Sequence, residues 1–216
     1  MAYDLSGLSE ILRAQGDLAA AQEKQQAALA IRNQLAEKKN AANSRLLLAI
    51  IALEDHKPSL AEAEAAETAK AFQEEKSVVE EAAAREVEAR SLLALGKIPE
   101  AEIAIKRARA LAAHSSPLTL GFDQTITSAR LAMSKKSPPI SSTLASIKND
   151  LESSLSHAHK CGYLEYEYKL ALAIGEVELR TGEIRSGRAR LEALARDANE
   201  KGFYLIGRSA AVLASD

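Results

Sequence analysis

A chain of 216 residues that is 47% hydrophobic but only 4% aromatic, with no tryptophan, must fill its interior with small side chains, which favours a stack of helices over one large core. Its net charge of −2 gives no overall electrostatic reason to expect nucleic acid or a membrane surface as partner. Cys161 has no second cysteine to pair with, no apolar run is long enough to span a bilayer, and the first residues lack a secretory pattern, so the expected location is cytoplasmic.

Strong helix formers dominate, Gly and Pro cluster at a few breaks, and no run of alternating β-branched residues occurs, so the chain reads as all-α. A first helix is predicted from about Tyr3 to Ala14, with Leu5, Leu8 and Leu12 on one face, closed by Gln15-Gly16-Asp17. A second runs from Leu18 to about Lys39 and carries Ala21, Ala28 and Leu35. Asn40 would supply its left-handed stop, with Lys38 and Lys39 against its negative C-terminal end. The helical pattern sets in at Met1 without a polar cap, as expected of a segment cut from a longer protein.

The next pair places Ser44 to Leu53 on a first helix, turns through 54–59, and returns from Leu60 to about Lys76 with Ala63, Ala66, Ala69 and Phe72. Residues 92–111 join a third pair. Gly96 suits a helix C-terminus that needs a left-handed residue, and Pro99 suits a first turn where a missing N–H costs nothing. Beyond that turn Ala101, Ala104, Ala108 and Leu111 share a face, and the helix is expected to end near His114-Ser115-Ser116-Pro117.

The fourth pair is the least regular. Its turn, 134–139, is the candidate for a mobile loop or a proteolytic site, and its second helix, about Ser141 to Lys160, spaces Leu144, Ile147, Leu151 and Leu155 by threes and fours. A fifth pair opens at Gly162-Tyr163, runs through Leu179, turns at 180–183 and returns from Ile184 to about Lys201. Gly202-Phe203 repeats the Gly162-Tyr163 step and leads into a lone helix, Tyr204 to Ala214, suited to cap the last apolar face.

Helix starts at Ala2, Ala42, Ala82, Phe122, Tyr163 and Phe203 are spaced by 40, 40, 40, 41 and 40 residues in the numbering. That period marks stacked helical hairpins in one domain, 1–216, with repeats of about 2–40, 41–78, 79–117, 118–161 and 162–201 and a cap helix over 203–214. Across the five turns Leu18, Leu60, Ile98, Ile140 and Ile184 align, each followed three residues later by a smaller residue: Ala21, Ala63, Ala101, Thr143 and Gly187. With Gly16, Gly96 and Gly182 at turns and Ala49, Ala89 and Ala129 on the preceding helices, the chain resembles the tetratricopeptide repeat family. The usual repeat is about 34 residues with large aromatics on its first helix. The longer period here resembles the variety found in kinesin light chains and large bacterial signalling proteins.

The resemblance implies a right-handed superhelix, an α-solenoid of about five antiparallel helix pairs plus a C-terminal capping helix. First helices would line a concave groove that takes an extended peptide or a partner helix. The family's inner-face positions fall on Tyr3, Ser6 and Glu10, on Asn43, on Glu86 and Arg90, on Asp123 and Arg130, and on Lys169. Their mixed signs imply a partner carrying both charges. The family's carboxylate clamp, built from lysine and asparagine, is matched only at Asn43, since Tyr3 and Ala83 stand at the neighbouring positions.

No motif for catalysis stands out. His157 and Cys161 share a helix face, but two ligands make no metal site, and a helix-end histidine fits better. Glu62, Glu64 and Glu67, or Glu74 and Glu75, read as solvated faces without a general base beside them. There is no phosphate-cradling glycine loop, no zinc-protease helix and no nucleophile elbow. Tyr166 and Tyr168 sit about 200° apart around a helix, so one is expected to face the groove or solvent. The expectation is therefore a non-catalytic protein-interaction scaffold without cofactor, a module of a larger signalling or regulatory protein. The alternatives are a ligand- or peptide-sensing effector domain of a transcriptional regulator or kinase, and a self-association module forming a homo-oligomer.

Overall fold

The computed structural model describes residues 1–113, 117–135 and 141–215. Within these lie eleven α-helices: α1 Ala2–Ala14, α2 Leu18–Gln34, α3 Lys38–Glu54, α4 Pro58–Glu74, α5 Val78–Ala94, α6 Ile98–Ala112, α7 Leu118–Met133, α8 Ser141–Cys161, α9 Leu164–Arg180, α10 Ile184–Glu200 and α11 Tyr204–Ser215. The fold is an all-α helical repeat.

Most helices end in the same three-residue turn. At its centre one residue has positive φ: Gly16, Ala36, His56, Lys76 and Gly96, then Gly162, Gly182 and Gly202. The residue after it closes a six-residue loop, as where the Asp17 amide donates to the Leu12 carbonyl at 2.9 Å and the Gly16 amide to Arg13 at 2.9 Å. That pairing satisfies carbonyls that a helix end would otherwise leave without donors. Asp17 then caps α2, its side chain accepting from the Ala20 amide at 3.1 Å.

Several boundaries differ from expectation, and the turn explains them. α2 ends at Gln34, and the left-handed residue is Ala36 with φ 56°, not Asn40. Lys38, Lys39 and Asn40 consequently form the first turn of α3, which starts four residues before Ala42 and six before Ser44. In the same way α5 starts at Val78 rather than Ala82, and α7 at Leu118 rather than Phe122. Lys76 stands in the turn after α4, with φ 54°. Pro58 occupies the first turn of α4, so its buried side begins at Ala61. Leu60 is 49% exposed and Ala63 is on the surface, so the small residue of the second hairpin is Ala61. Thr143 is exposed as well. The expected ends at His114–Ser116, most of the proposed loop after Ser134, and Ile140 lie outside the described residues.

The chain forms two compact units, Met1–Pro117 and Leu118–Asp216. In the first, each helix packs on the next and α3 also touches α5. Its core is rich in alanine: Ala21, Ala28, Ala49, Ala61, Ala65, Ala69, Ala82, Ala84, Ala89, Ala101 and Ala108 are buried, and Phe72 packs with Ala42, Ala69 and Ala84. Small side chains let helices approach, and Ser9 Oγ can reach across to donate to the Ala21 carbonyl at 2.7 Å. The second unit uses larger residues. Phe122, Ile126, Leu151, Leu170, Ile174 and Val177 pack between α7, α8 and α9, while Tyr168, Leu172, Leu191, Leu194 and Ile206 pack between α9, α10 and α11. Here α9 touches both α7 and α11.

Candidate partner-binding face

The odd-numbered helices carry every residue of the expected inner face. In the first unit Tyr3 projects from α1 and is 67% exposed. Its ring lies 5.3 Å from the Arg32 guanidinium of α2, and its hydroxyl accepts from Asn40 Nδ2 at 3.1 Å. Arg32 is itself buried and donates to Ser44 Oγ on α3. The tyrosine is thus exposed yet held at both ring and hydroxyl, which lowers the entropy lost when a partner packs on it. One turn on, Ser6 has a buried hydroxyl without a hydrogen-bond partner among the described residues, and Glu10 is exposed. Asn43 is half-buried on α3. On α5 Glu86 is 2% exposed, with Arg90 one turn away at 3.7 Å and half-buried.

In the second unit Asp123 and Arg130 of α7 are engaged by the next odd helix, and Lys169 by residues of its own. Tyr166 of α9 donates its hydroxyl to Asp123 Oδ2 of α7 at 2.9 Å. Lys169 lies 4.8 Å from the centre of the Tyr166 ring and pairs with Glu165 at 2.7 Å. Arg130 makes a two-pronged contact with Glu176, Nε and Nη2 each at 2.8 Å. Such planar pairing fixes the guanidinium geometrically and neutralises its charge.

Sequence reading passed over Arg32, Asn40 and Glu176. A signal for the last was present: Arg130 and Glu176 are each the thirteenth residue of their helix, and Asp123 and Lys169 each the sixth, opposite charges at matching places on successive first helices. Tyr166 and Tyr168 point to different sides, as their spacing requires. Tyr168 is buried, and its hydroxyl donates to Asp197 Oδ2 at 2.6 Å. Burial and that carboxylate push its phenol well above the ordinary range. Tyr166 turns toward Phe122 and Asp123, beside Tyr163.

His157 packs edge-on against Phe122 with centroids 5.9 Å apart, and Cys161 is exposed. Among the described residues no group of three His, Cys, Asp or Glu could hold a metal ion, and no helix is long and apolar enough to cross a membrane.

No protein-family model matches this chain, and no curated protein does. Solved structures do. A putative kinesin light chain from Podospora anserina, described as having nearly identical TPR-like repeats, is similar over 92% of this chain and 95% of its own, with 14% identity and a TM-score of 0.56. A single-substitution variant of it matches over 92% and 94%, with 15% identity and the same TM-score. At such identity the likeness shows the fold alone, a TPR-like repeat of long helices.

Proposed function

We propose that this TPR-like repeat chain is a non-catalytic scaffold that binds a peptide or partner protein on the inner side of its odd-numbered helices, as one module of a larger signalling or regulatory protein. One observation carries the reading. Tyr3 of α1 is 67% exposed and yet held at its ring by Arg32 and at its hydroxyl by Asn40, on the side where Ser6 and Glu10 also stand. A pre-oriented tyrosine flanked by polar groups is a favoured contact in protein interfaces.

The ion pairs refine the expected partner. Arg130 and Lys169 already hold carboxylates from this chain, so the second unit offers hydrogen bonds and aromatic surface more than net charge. A partner with both charges, bound with only moderate salt dependence, fits that arrangement.

A pull-down from native lysate, comparing wild type with Tyr3→Ala combined with Glu10→Lys, tests the proposal. Both sites are exposed, so the fold is retained. The variant is expected to lose a defined set of partners. Identical partner lists would move the binding surface off α1.

A further inference from the structure

We propose that Arg32 of α2, beneath the exposed ring of Tyr3, is the seat for an acidic side chain, aspartate or glutamate, of the bound peptide; the inference rests on the inner-face reading and names the chemistry that face selects.

The repeat register shows what sets this place apart. Gly16 and His56 turn the chain after α1 and α3, and Ala36 and Lys76 after α2 and α4, at a constant offset of 40 residues. In that frame Ser6, Gln25, Arg32 and Ser44 stand where the next hairpin has Leu46, Ala65, Phe72 and Ala84. There Phe72 and Ala84 cluster, and Leu46 packs against them and against the cluster of Ala65. The first hairpin fills the same nest from within α1, α2 and α3, but with polar groups that it does not satisfy. Ser6 Oγ, Gln25 Oε1 and Arg32 Nε are buried with no hydrogen-bond partner among the described residues. Unmet buried polar groups cost stability, and an apolar nest would avoid that cost, so their presence points to a ligand that meets them.

Arg32 fixes the sign of that ligand. It is 5% exposed. Arg13, Arg45, Arg85, Arg90, Arg130 and Arg190, the other buried or half-buried arginines, each pair with a carboxylate of the chain. Arg32 pairs with none among the described residues. Its Nη1 donates to Ser44 Oγ and, at 3.4 Å, to the Asn40 carbonyl, while its plane lies against the Tyr3 ring. A buried cation without a counter-charge is unfavourable and attracts an anion strongly. The edge left over is Nε with Nη2, and Nη2 is not sealed from solvent as Nε is. Arg130 and Arg190 show what that edge does in this chain, gripping Glu176 and Glu178 through Nε and Nη2 together. A carboxylate on a short methylene stem can enter beside Tyr3 at Nη2 and reach Nε, whereas a chain terminus would have to bring its backbone to the same depth. Both donors among the unmet groups, Arg32 Nε and Ser6 Oγ, suit it.

Heteronuclear NMR of the whole chain, following the arginine Nε–H signals at fixed ionic strength, tests this without a known partner. The probes are N-acetylglutamate α-amide, acidic on its side chain; N-acetylalanine, acidic at its terminus; inorganic phosphate; and the neutral N-acetylglutamine α-amide. The glutamate probe is expected to shift Arg32 saturably at roughly a tenth of the concentration needed at the exposed Arg185 and Arg188. Arg130 and Arg190, already held by carboxylates, should not move. An unmoved Arg32, a response no tighter than at Arg185 and Arg188, or an equal response to the neutral amide overturns the proposal. Tighter binding of N-acetylalanine or phosphate also overturns it, in favour of a chain terminus or a phosphorylated partner. The inner-face reading fails separately: identical partner lists in the Tyr3→Ala, Glu10→Lys pull-down would sink it whatever Arg32 does, and lost partners with an unmoved Arg32 would sink the carboxylate seat alone.

Discussion

Glu178, 2% exposed on α9, accepts hydrogen bonds from Arg190 of α10 on both its oxygens, at 2.9 Å from Nε and 3.0 Å from Nη2. Lys148 of α8 stands 3.5 Å away and also pairs with Glu183 at 2.7 Å, so one buried carboxylate ties three helices. Burial by itself would raise the Glu178 carboxyl, but the bonds and charge of Arg190, with Lys148, outweigh it and hold the group below its ordinary 4.5.

A carboxyl lowered in the folded state contributes stability above its unfolded value and loses it as pH falls through the folded one. Thermal melts of wild type are therefore expected to fall in midpoint from about pH 4.5 downward, and Glu178→Gln should flatten that decline. Arg190→Ala at neutral pH leaves Glu178 buried with Lys148 alone. Its cost should be about 2–3 kcal/mol, below the full value for a buried pair because Arg190 is partly solvated. Urea unfolding measures it.

The register of the second hairpin is testable with two neighbours. Ala61 is buried and Ala63 exposed. Ala61→Leu, like Ala101→Leu at the next hairpin, forces methylenes between packed helices and should cost on the order of 1–3 kcal/mol. Ala63→Leu should change stability by less than about 0.5 kcal/mol. Equal melting temperatures for the two variants would refute the turn geometry around Pro58.

Ala36 and Lys76 hold φ of 56° and 54° where five of the other turns, those at Gly16, Gly96, Gly162, Gly182 and Gly202, have glycine. A Cβ in that conformation crowds the following carbonyl, so Ala36→Gly and Lys76→Gly should each stabilise by about 0.5–1 kcal/mol. Gly96→Ala should do the reverse. Differential scanning calorimetry distinguishes the signs.

Gly175 lies mid-helix in α9, where glycine weakens a helix by about 1 kcal/mol relative to alanine. An added Cβ would come within 2.7 Å of Cγ and Cδ2 of the fully buried Leu191 on α10. Gly175→Ala should thus destabilise, despite the better propensity, by about 1–3 kcal/mol of overpacking. Gly175→Ala combined with Leu191→Ala should recover part of that loss relative to Leu191→Ala alone, because the added methyl then partly fills the vacated space.

Helix class, the forty-residue rhythm and the small-residue contacts at Ala21, Ala101 and Gly187 were all legible in the sequence, because they are local: propensity, apolar spacing and turn glycines act within a few residues. Where the turn residue was glycine, as at Gly16, Gly96, Gly182 and Gly202, the helix ends fell near their expected places. Where it was Ala36 or Lys76, the boundaries slipped by several residues. No side-chain preference marks those positions; packing of successive hairpins imposes the left-handed turn against the local cost. Tertiary structure alone decided the partners of the candidate face. Arg130 meets Glu176 and Tyr166 meets Asp123 across 46 and 43 residues of chain. A charge or hydroxyl reads the same in sequence whether it faces solvent or a neighbouring helix, and only the stacking of one repeat on the next settles which.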